Sequence, residues 1–156
     1  MTWQTILYFS SILITIALMG FLAWYAWRQR ETAGARAFMW LALSECYLAL
    51  AEALFMLSRT PAQALFWFDT RFLALASMPV LWLLFVLEYS GLKHWCSKGL
   101  VAGMFVIPFV TQVMLWTNPL HGLWVKQEVG FHQNGPFWIA ETSARLPSLW
   151  FLVHSF

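Results

Sequence analysis

The chain has 156 residues, of which 61% are hydrophobic and 10% are charged, whereas soluble domains average roughly 45–50% and 25%. This composition excludes an ordinary soluble domain, and the 11 tryptophans and 14 phenylalanines suit a protein that meets two membrane–water interfaces. The net charge of +2 comes from scattered basic residues, so we expect no nucleic-acid partner. Cys46 and Cys96 form neither a disulfide framework nor a metal motif, and we expect no metal and no cofactor.

Apolar runs long enough to cross a bilayer follow one another along the chain. A transmembrane helix needs about 20 mostly apolar residues, because each residue rises ~1.5 Å and the hydrocarbon core is ~30 Å thick. The sequence predicts a single all-α membrane domain over residues 1–156, a bundle of five transmembrane helices with an outer loop or small hairpin between helices four and five. The predicted spans are 5–27, 37–57, 64–89, 100–116 and 139–156.

The third predicted span is the centre of this arrangement. It carries no charge over the 16 residues between Arg71 and Glu88. Asp69 and Arg71 stand near its start, which predicts an ion pair buried near one end of the span. Pro61 lies in the preceding turn and is placed to start the helix, since proline is favoured in the first helical turn.

Basic residues are distributed unevenly between the connecting loops. The loops after spans one and three hold five Lys or Arg residues, whereas those after spans two and four hold Arg59 and Lys126. Because cytoplasmic loops carry the excess of basic residues, the amino terminus and the loop over 117–138 are expected outside. The fifth span ends at Phe156 without the basic flank of a cytoplasmic helix end, so we expect the chain to be the front part of a longer protein.

Charged residues from three predicted spans converge near the outer end of the bundle. An ionisable side chain inside a bilayer costs roughly 2.5–3.5 kcal/mol and usually marks function. The converging residues are Glu52, Asp69, Arg71, Glu141 and Arg145. Three interpretations remain open: a structural ion network, an outward-open pocket whose charges also meet a ligand, and exposed interfacial charge. Arg71 is expected within salt-bridge distance of Glu52 or Glu141, because a lone guanidinium at that depth is too costly.

Glu45 is interpreted differently, because it lies nearer to the middle of the membrane. It precedes Glu52 by seven residues, which places both carboxylates on one face of the second helix. At that depth a protonated and hydrogen-bonded acid is expected.

The long loop over 117–138 covers the same outer end, and a loop of this length is usually functional. We expect the outer third of the bundle to hold the functional cavity, with Asn118 and His121 at the inner edge of the loop. The aromatic residues that can pack this loop down as a lid are Trp124, Phe131, Phe137 and Trp138. The spacing of the loop's histidines and acids matches no established zinc pattern.

Several short motifs occur together from about residue 37 onward. FWFDTRFLALASMPVLWLLFVLEYSG is followed by a basic loop, a helix with IPFV, and then TNPLHGLW and GPFW. This order resembles the N-terminal seven-transmembrane input domain of bacterial sensor histidine kinases, a module also found ahead of diguanylate cyclases. The best-matching residues are Arg71, Pro79, Phe85, Tyr89, Gly91, Pro108, Thr117, Asn118, His121, Gly135, Pro136 and Trp138.

The resemblance implies a signal-input module in the bacterial inner membrane, with its amino terminus outside and its effector in the cytoplasm. Its partners would be the lipid bilayer, a small-molecule or lipid ligand, and a second copy or a larger membrane complex. Five predicted spans instead of seven imply a chain truncated within or after the fifth helix. No catalytic motif occurs, so whether the parent protein is a kinase or a cyclase rests on the resemblance. The alternative is a structural or accessory subunit that docks onto a larger membrane complex.

Overall fold

The computed structural model describes residues 3–121, 130–134 and 137–141. It contains the helices α1 (Trp3–Arg28), α2 (Ala35–Met56), α3 (Pro61–Tyr89), α4 (Lys98–Trp116) and α5 (Asn118–His121), and the strands β1 (Gly130–Asn134) and β2 (Phe137–Glu141). A single turn of 3₁₀ helix (Lys93–Trp95) lies between α3 and α4. The first four of these helices are each long and apolar enough to cross a membrane. Their bounds differ from the first four predicted spans by at most three residues.

Each long helix packs mainly against its neighbours along the chain. In the described part of the chain, the extensive helix contacts are those of α1 with α2, α2 with α3 and α3 with α4. The four described long helices therefore form a row with α2 and α3 at its centre. The helices have two ends, one at each side of the membrane. We call the end at the loop between α2 and α3, which holds Arg59, the Arg59 end. The opposite end, at the loop between α1 and α2, is the Arg28 end.

Small side chains form the contact between α1 and α2. Ala23 and Ala26 of α1 pack against Met39 and Ala42 of α2, and all four side chains are buried. In lipid, helices associate through such small residues because their backbones can then approach closely. Large apolar side chains such as Trp24 are exposed on the outside of the row, where lipid can cover them.

Local sequence explains where α3 begins and ends. The Thr60 hydroxyl accepts a hydrogen bond from the Gln63 amide at 3.3 Å, and Pro61 occupies the first turn. The prediction that Pro61 starts this helix is thus confirmed. At the other end, Gly91 has a φ of 76° just after the helix, which is the conformation that a helix C-cap favours and that glycine adopts without steric cost.

The prediction that the fifth helix begins at residue 139 is wrong. Residues 139–141 belong to β2, which pairs antiparallel with β1 and contacts α2. The sequence Phe137-Trp138-Ile139 is aromatic and β-branched, and such residues favour a paired strand over a helix. Residues 142–156 of the predicted fifth helix, and the loop residues 122–129 and 135–136, lie outside the described residues.

Candidate functional site

An ion pair joins α2 to α3 inside the predicted membrane region. Arg71 Nη1 of α3 lies 2.8 Å from Glu52 Oε2 of α2. The two side chains are only 22% and 27% exposed, respectively, so both charges are largely withdrawn from the surface. The Tyr8 hydroxyl of α1 donates a hydrogen bond to Glu52 Oε1 at 3.3 Å, so α1 also contacts the pair. The sequence predicted Glu52 or Glu141 as the partner of Arg71, and the structure shows Glu52.

Three phenylalanine rings enclose the guanidinium of Arg71. Its Cζ atom lies 4.2 Å from the ring centre of Phe68, 5.7 Å from that of Phe55 and 5.8 Å from that of Phe72. A cation within about 6 Å of an aromatic face is attracted by the ring, and more strongly where water is excluded. Among the described residues, Arg71 Nε has no hydrogen-bond partner. The sequence analysis missed this aromatic enclosure, although the spacing of Phe68 and Phe72 around Arg71 places all three near one helix face.

The expected pair between Asp69 and Arg71 is wrong. Residues two apart on a helix do not face each other, and Arg71 turns toward α2 instead. In the part of the chain that the structure describes, the Asp69 carboxylate takes part in no hydrogen bond or ion pair. Its backbone carbonyl accepts a hydrogen bond from Gln112 Nε2 of α4 at 3.4 Å.

Gln112 forms a polar contact between α4 and α3, and the adjacent Thr111 is buried beside it; neither was predicted from the sequence. Thr111 is fully buried and Gln112 is 6% exposed. Thr111 Oγ1 and Gln112 Oε1 have no hydrogen-bond partner among the described residues. Two adjacent polar residues inside the otherwise apolar helix α4 were the available signal, since polar groups within a membrane usually face protein.

A cavity of about 430 Å³ opens beside the ion pair between α1, α2 and α3. We call it the charged cavity, and its lining residues are Tyr8, Ser11, Ile12, Thr15, Glu45, Leu48, Ala49, Glu52, Arg71 and Leu75. Glu45 and Glu52 both line this cavity, although the sequence predicted only that they share one face of α2. Hydroxyl, carboxylate and guanidinium groups together can bind a polar or charged ligand by hydrogen bonds from several directions.

A second and larger cavity, of about 590 Å³, lies between the same three helices toward the Arg28 end. We call it the apolar cavity, and its lining residues are Met19, Leu22, Phe38, Leu41, Ala42, Glu45, Met78, Pro79 and Trp82. The sequence predicted the functional cavity at the end where the charges converge. The larger cavity instead lies toward the Arg28 end. The two cavities meet at Glu45, which lines both. The hydrogen bond expected for its carboxyl group is absent among the described residues.

The remaining predicted site residues are Asp69, Asn118, His121, Glu141 and Arg145, and the predicted lid residues include Trp124. Asp69 and Asn118 line neither cavity, and Asn118 and His121 are the first and last residues of α5. Glu141 is the last residue of β2 rather than part of a helix. Arg145 and the lid residue Trp124 lie outside the described residues.

Comparison with known proteins identifies the chain's family. A family model described as the N-terminal 7TM region of histidine kinase matches residues 11–156. Comparisons with curated proteins and with solved structures find no significant match. The matched region begins within α1, includes α2, α3 and α4, and covers most of the chain. The chain therefore belongs to the family of N-terminal seven-transmembrane regions of histidine kinases.

Proposed function

We propose that this chain is a single membrane-embedded signal-input domain, and that an external or membrane-borne ligand acts at the charged cavity. Membership of the histidine kinase family supports the signalling role. The observation that carries the site is the ion pair between Glu52 and Arg71, because it lies inside the predicted membrane region and lines an open cavity. Charges held at such depth are costly, and in membrane proteins they usually serve a ligand or a conformational change.

The pair can couple ligand binding to helix packing. Tyr8, Glu52 and Arg71 connect α1, α2 and α3 through one chain of hydrogen bonds. A hydrogen bond to a charged group contributes about 1.5–3 kcal/mol, which is comparable to the 1–3 kcal/mol of typical allosteric coupling. A ligand that binds Glu52 or Arg71 in place of its partner therefore weakens the link between α2 and α3. The long helix α3 then transmits the change to the Arg28 end.

Arg71→Gln and Glu52→Gln test this role in the full-length protein, with kinase autophosphorylation in membrane vesicles as the output. Both variants remove one charge of the pair, so we expect both to shift basal output in the same direction by about fivefold or more. Glu88→Gln is the matched control for Glu52→Gln, because it also replaces a glutamate by glutamine. Glu88 is on α3 and lines neither cavity. Correctly folded variants with wild-type output would favour a purely structural pair and an accessory role for the chain.

We further propose that the protein lies in the bacterial inner membrane with its amino terminus outside, so that the charged cavity lies in the outer half. Five basic residues after the first and third predicted spans, against two after the second and fourth, support this orientation. Cys96, between α3 and α4, then faces the cytoplasm. In a Cys46→Ser background, a membrane-impermeant maleimide should label Cys96 only after the membrane is permeabilised. Labelling in intact cells would reverse the orientation.

A further inference from the structure

The apolar cavity has the dimensions and composition of a ligand pocket. Its volume of about 590 Å³ falls within the ~300–1,000 Å³ of typical small-molecule sites. Such sites are lined mainly by apolar and aromatic side chains with a few polar groups that orient the ligand. Here α1, α2 and α3 all contribute apolar side chains, and Glu45 is the ionisable residue of the lining.

Within the described part of the chain, the carboxyl group of Glu45 has no partner that compensates its partial burial. It is half-buried, and among the described residues no side chain donates a hydrogen bond to it or forms an ion pair with it. Glu52 differs, since it has both Arg71 and Tyr8. A carboxyl group in an apolar setting without a donor is costly, so a bound molecule that supplies a donor gains this free energy.

The depth of Glu45 restricts where that donor can come from. It is the eleventh of the 22 residues of α2, which places it about 15 Å from either helix end and near the bilayer centre. The head groups of phospholipids stay at the membrane surface, a similar distance away. A phospholipid head group is therefore remote from Glu45, whereas a small molecule that enters the cavity can bring a donor to it.

The groups around the two cavities favour a basic ligand. Glu45 and Glu52 are two acids and Arg71 is one base, so among the described residues that line the cavities one acid has no basic partner. A basic group on a ligand can form the ion pair with Glu45 that Arg71 forms with Glu52.

We propose that the apolar cavity binds a small apolar amine, whose body packs against the aliphatic and aromatic lining and whose ammonium group donates hydrogen bonds to Glu45. The test of this site is independent of the proposed function, because ligand binding is measured directly and no signalling output is needed.

Radiolabelled octylamine tests the proposal, with the full-length protein in phosphatidylcholine nanodiscs. We expect saturable binding that octylamine itself displaces at least about tenfold better than octanol or octanoate, because a charge-assisted hydrogen bond is worth at least that factor. Glu45→Gln should weaken octylamine binding about tenfold and remove the preference over octanol. Glu88→Gln, the matched control outside the cavity, should bind as the wild type does.

A second variant tests the place of binding without touching the carboxylate. Met78→Trp fills part of the cavity and should weaken octylamine binding while Glu45 stays in place. Equal displacement by octanol, or unchanged binding in Glu45→Gln, overturns the proposal. The absence of saturable binding, as when another segment of the full-length protein fills the groove, overturns it too. A tenfold loss of octylamine affinity in phosphatidylethanolamine nanodiscs would instead assign the site to the lipid head group.

Discussion

The Arg28 end and the Arg59 end of the helices are stabilised by different contacts. At the Arg28 end, α1 and α2 pack through alanines such as Ala23 and Ala26 and leave the apolar cavity beside them. At the Arg59 end, an ion pair between Glu52 and Arg71 joins α2 to α3, and Tyr8 links α1 to the same pair. Apolar packing also contributes at the Arg59 end, where Phe55 and Ala64 are buried, and the ion pair between helices is added to it there. An ion pair can be replaced by a polar ligand, whereas close packing of small residues cannot.

The largest expected effect is at the charged end. Arg71→Leu leaves Glu52 without its counter-ion and empties the ring of phenylalanines around the guanidinium. Removing one partner of a buried pair costs about 3–5 kcal/mol, so we expect the free energy of unfolding in SDS titrations to fall by about 3 kcal/mol. The double variant Glu52→Leu/Arg71→Leu is the control and should recover part of this loss, since no charge is then left alone. A single variant as stable as the wild type would mean that the pair contributes nothing to the row.

A smaller loss is expected from overpacking the Arg28 end. Ala23→Leu inserts three carbon atoms into a contact where the native side chain is 4% exposed, and overpacking of this kind costs about 1–3 kcal/mol. The same SDS titration measures it. Ala102→Leu on the exposed face of α4 is the matched control and should leave stability nearly unchanged. Equal losses of unfolding free energy in the two variants would show that α1 and α2 do not pack closely.

The connection before α2 gives an intermediate effect at the same end. Gly34 has a φ of 80°, and a Cβ atom there would lie 3.3 Å from Phe85 and Tyr89 of α3. Left-handed backbone costs a non-glycine residue about 1–2 kcal/mol, so Gly34→Ala should destabilise by about 2 kcal/mol. Gly91→Ala is the control, because it has a φ of 76° but open space around the Cβ position. A loss in Gly34→Ala no larger than in Gly91→Ala would contradict the close contact.

The smallest effect belongs to the hydroxyl of Tyr8. Tyr8→Phe removes its hydrogen bond to Glu52, which at 3.3 Å is long, so we expect a loss of about 1 kcal/mol or less. Tyr89→Phe is the control, since its ring is 71% exposed and its hydroxyl has no hydrogen bond among the described residues. If Tyr8→Phe destabilises as much as Arg71→Leu, the pair depends on α1 rather than on the contact of α2 with α3.

The sequence by itself determined the membrane spans and part of the site. Four apolar runs became four helices with bounds close to the predicted ones, because a span depends on local composition and on the thickness of a bilayer. The spacing of Glu45 and Glu52 also sufficed to place them on one face of α2, since helix periodicity is a local property, whereas the cavity that both line was not predicted. The cost of a lone guanidinium in lipid narrowed the partner of Arg71 to Glu52 or Glu141.

Only the tertiary structure decided which groups meet and where space remains. The choice of Glu52 for Arg71, the three rings around it and the burial of Gln112 depend on how neighbouring helices are rotated and shifted. The apolar cavity arises where side chains from three helices fail to fill their common space, which no single run of residues reveals. Pairing with β1 made residues 139–141 a strand, although the apolar run that they open suggested a helix. Spans follow from local chemistry, whereas cavities and partners follow from the fit between distant side chains.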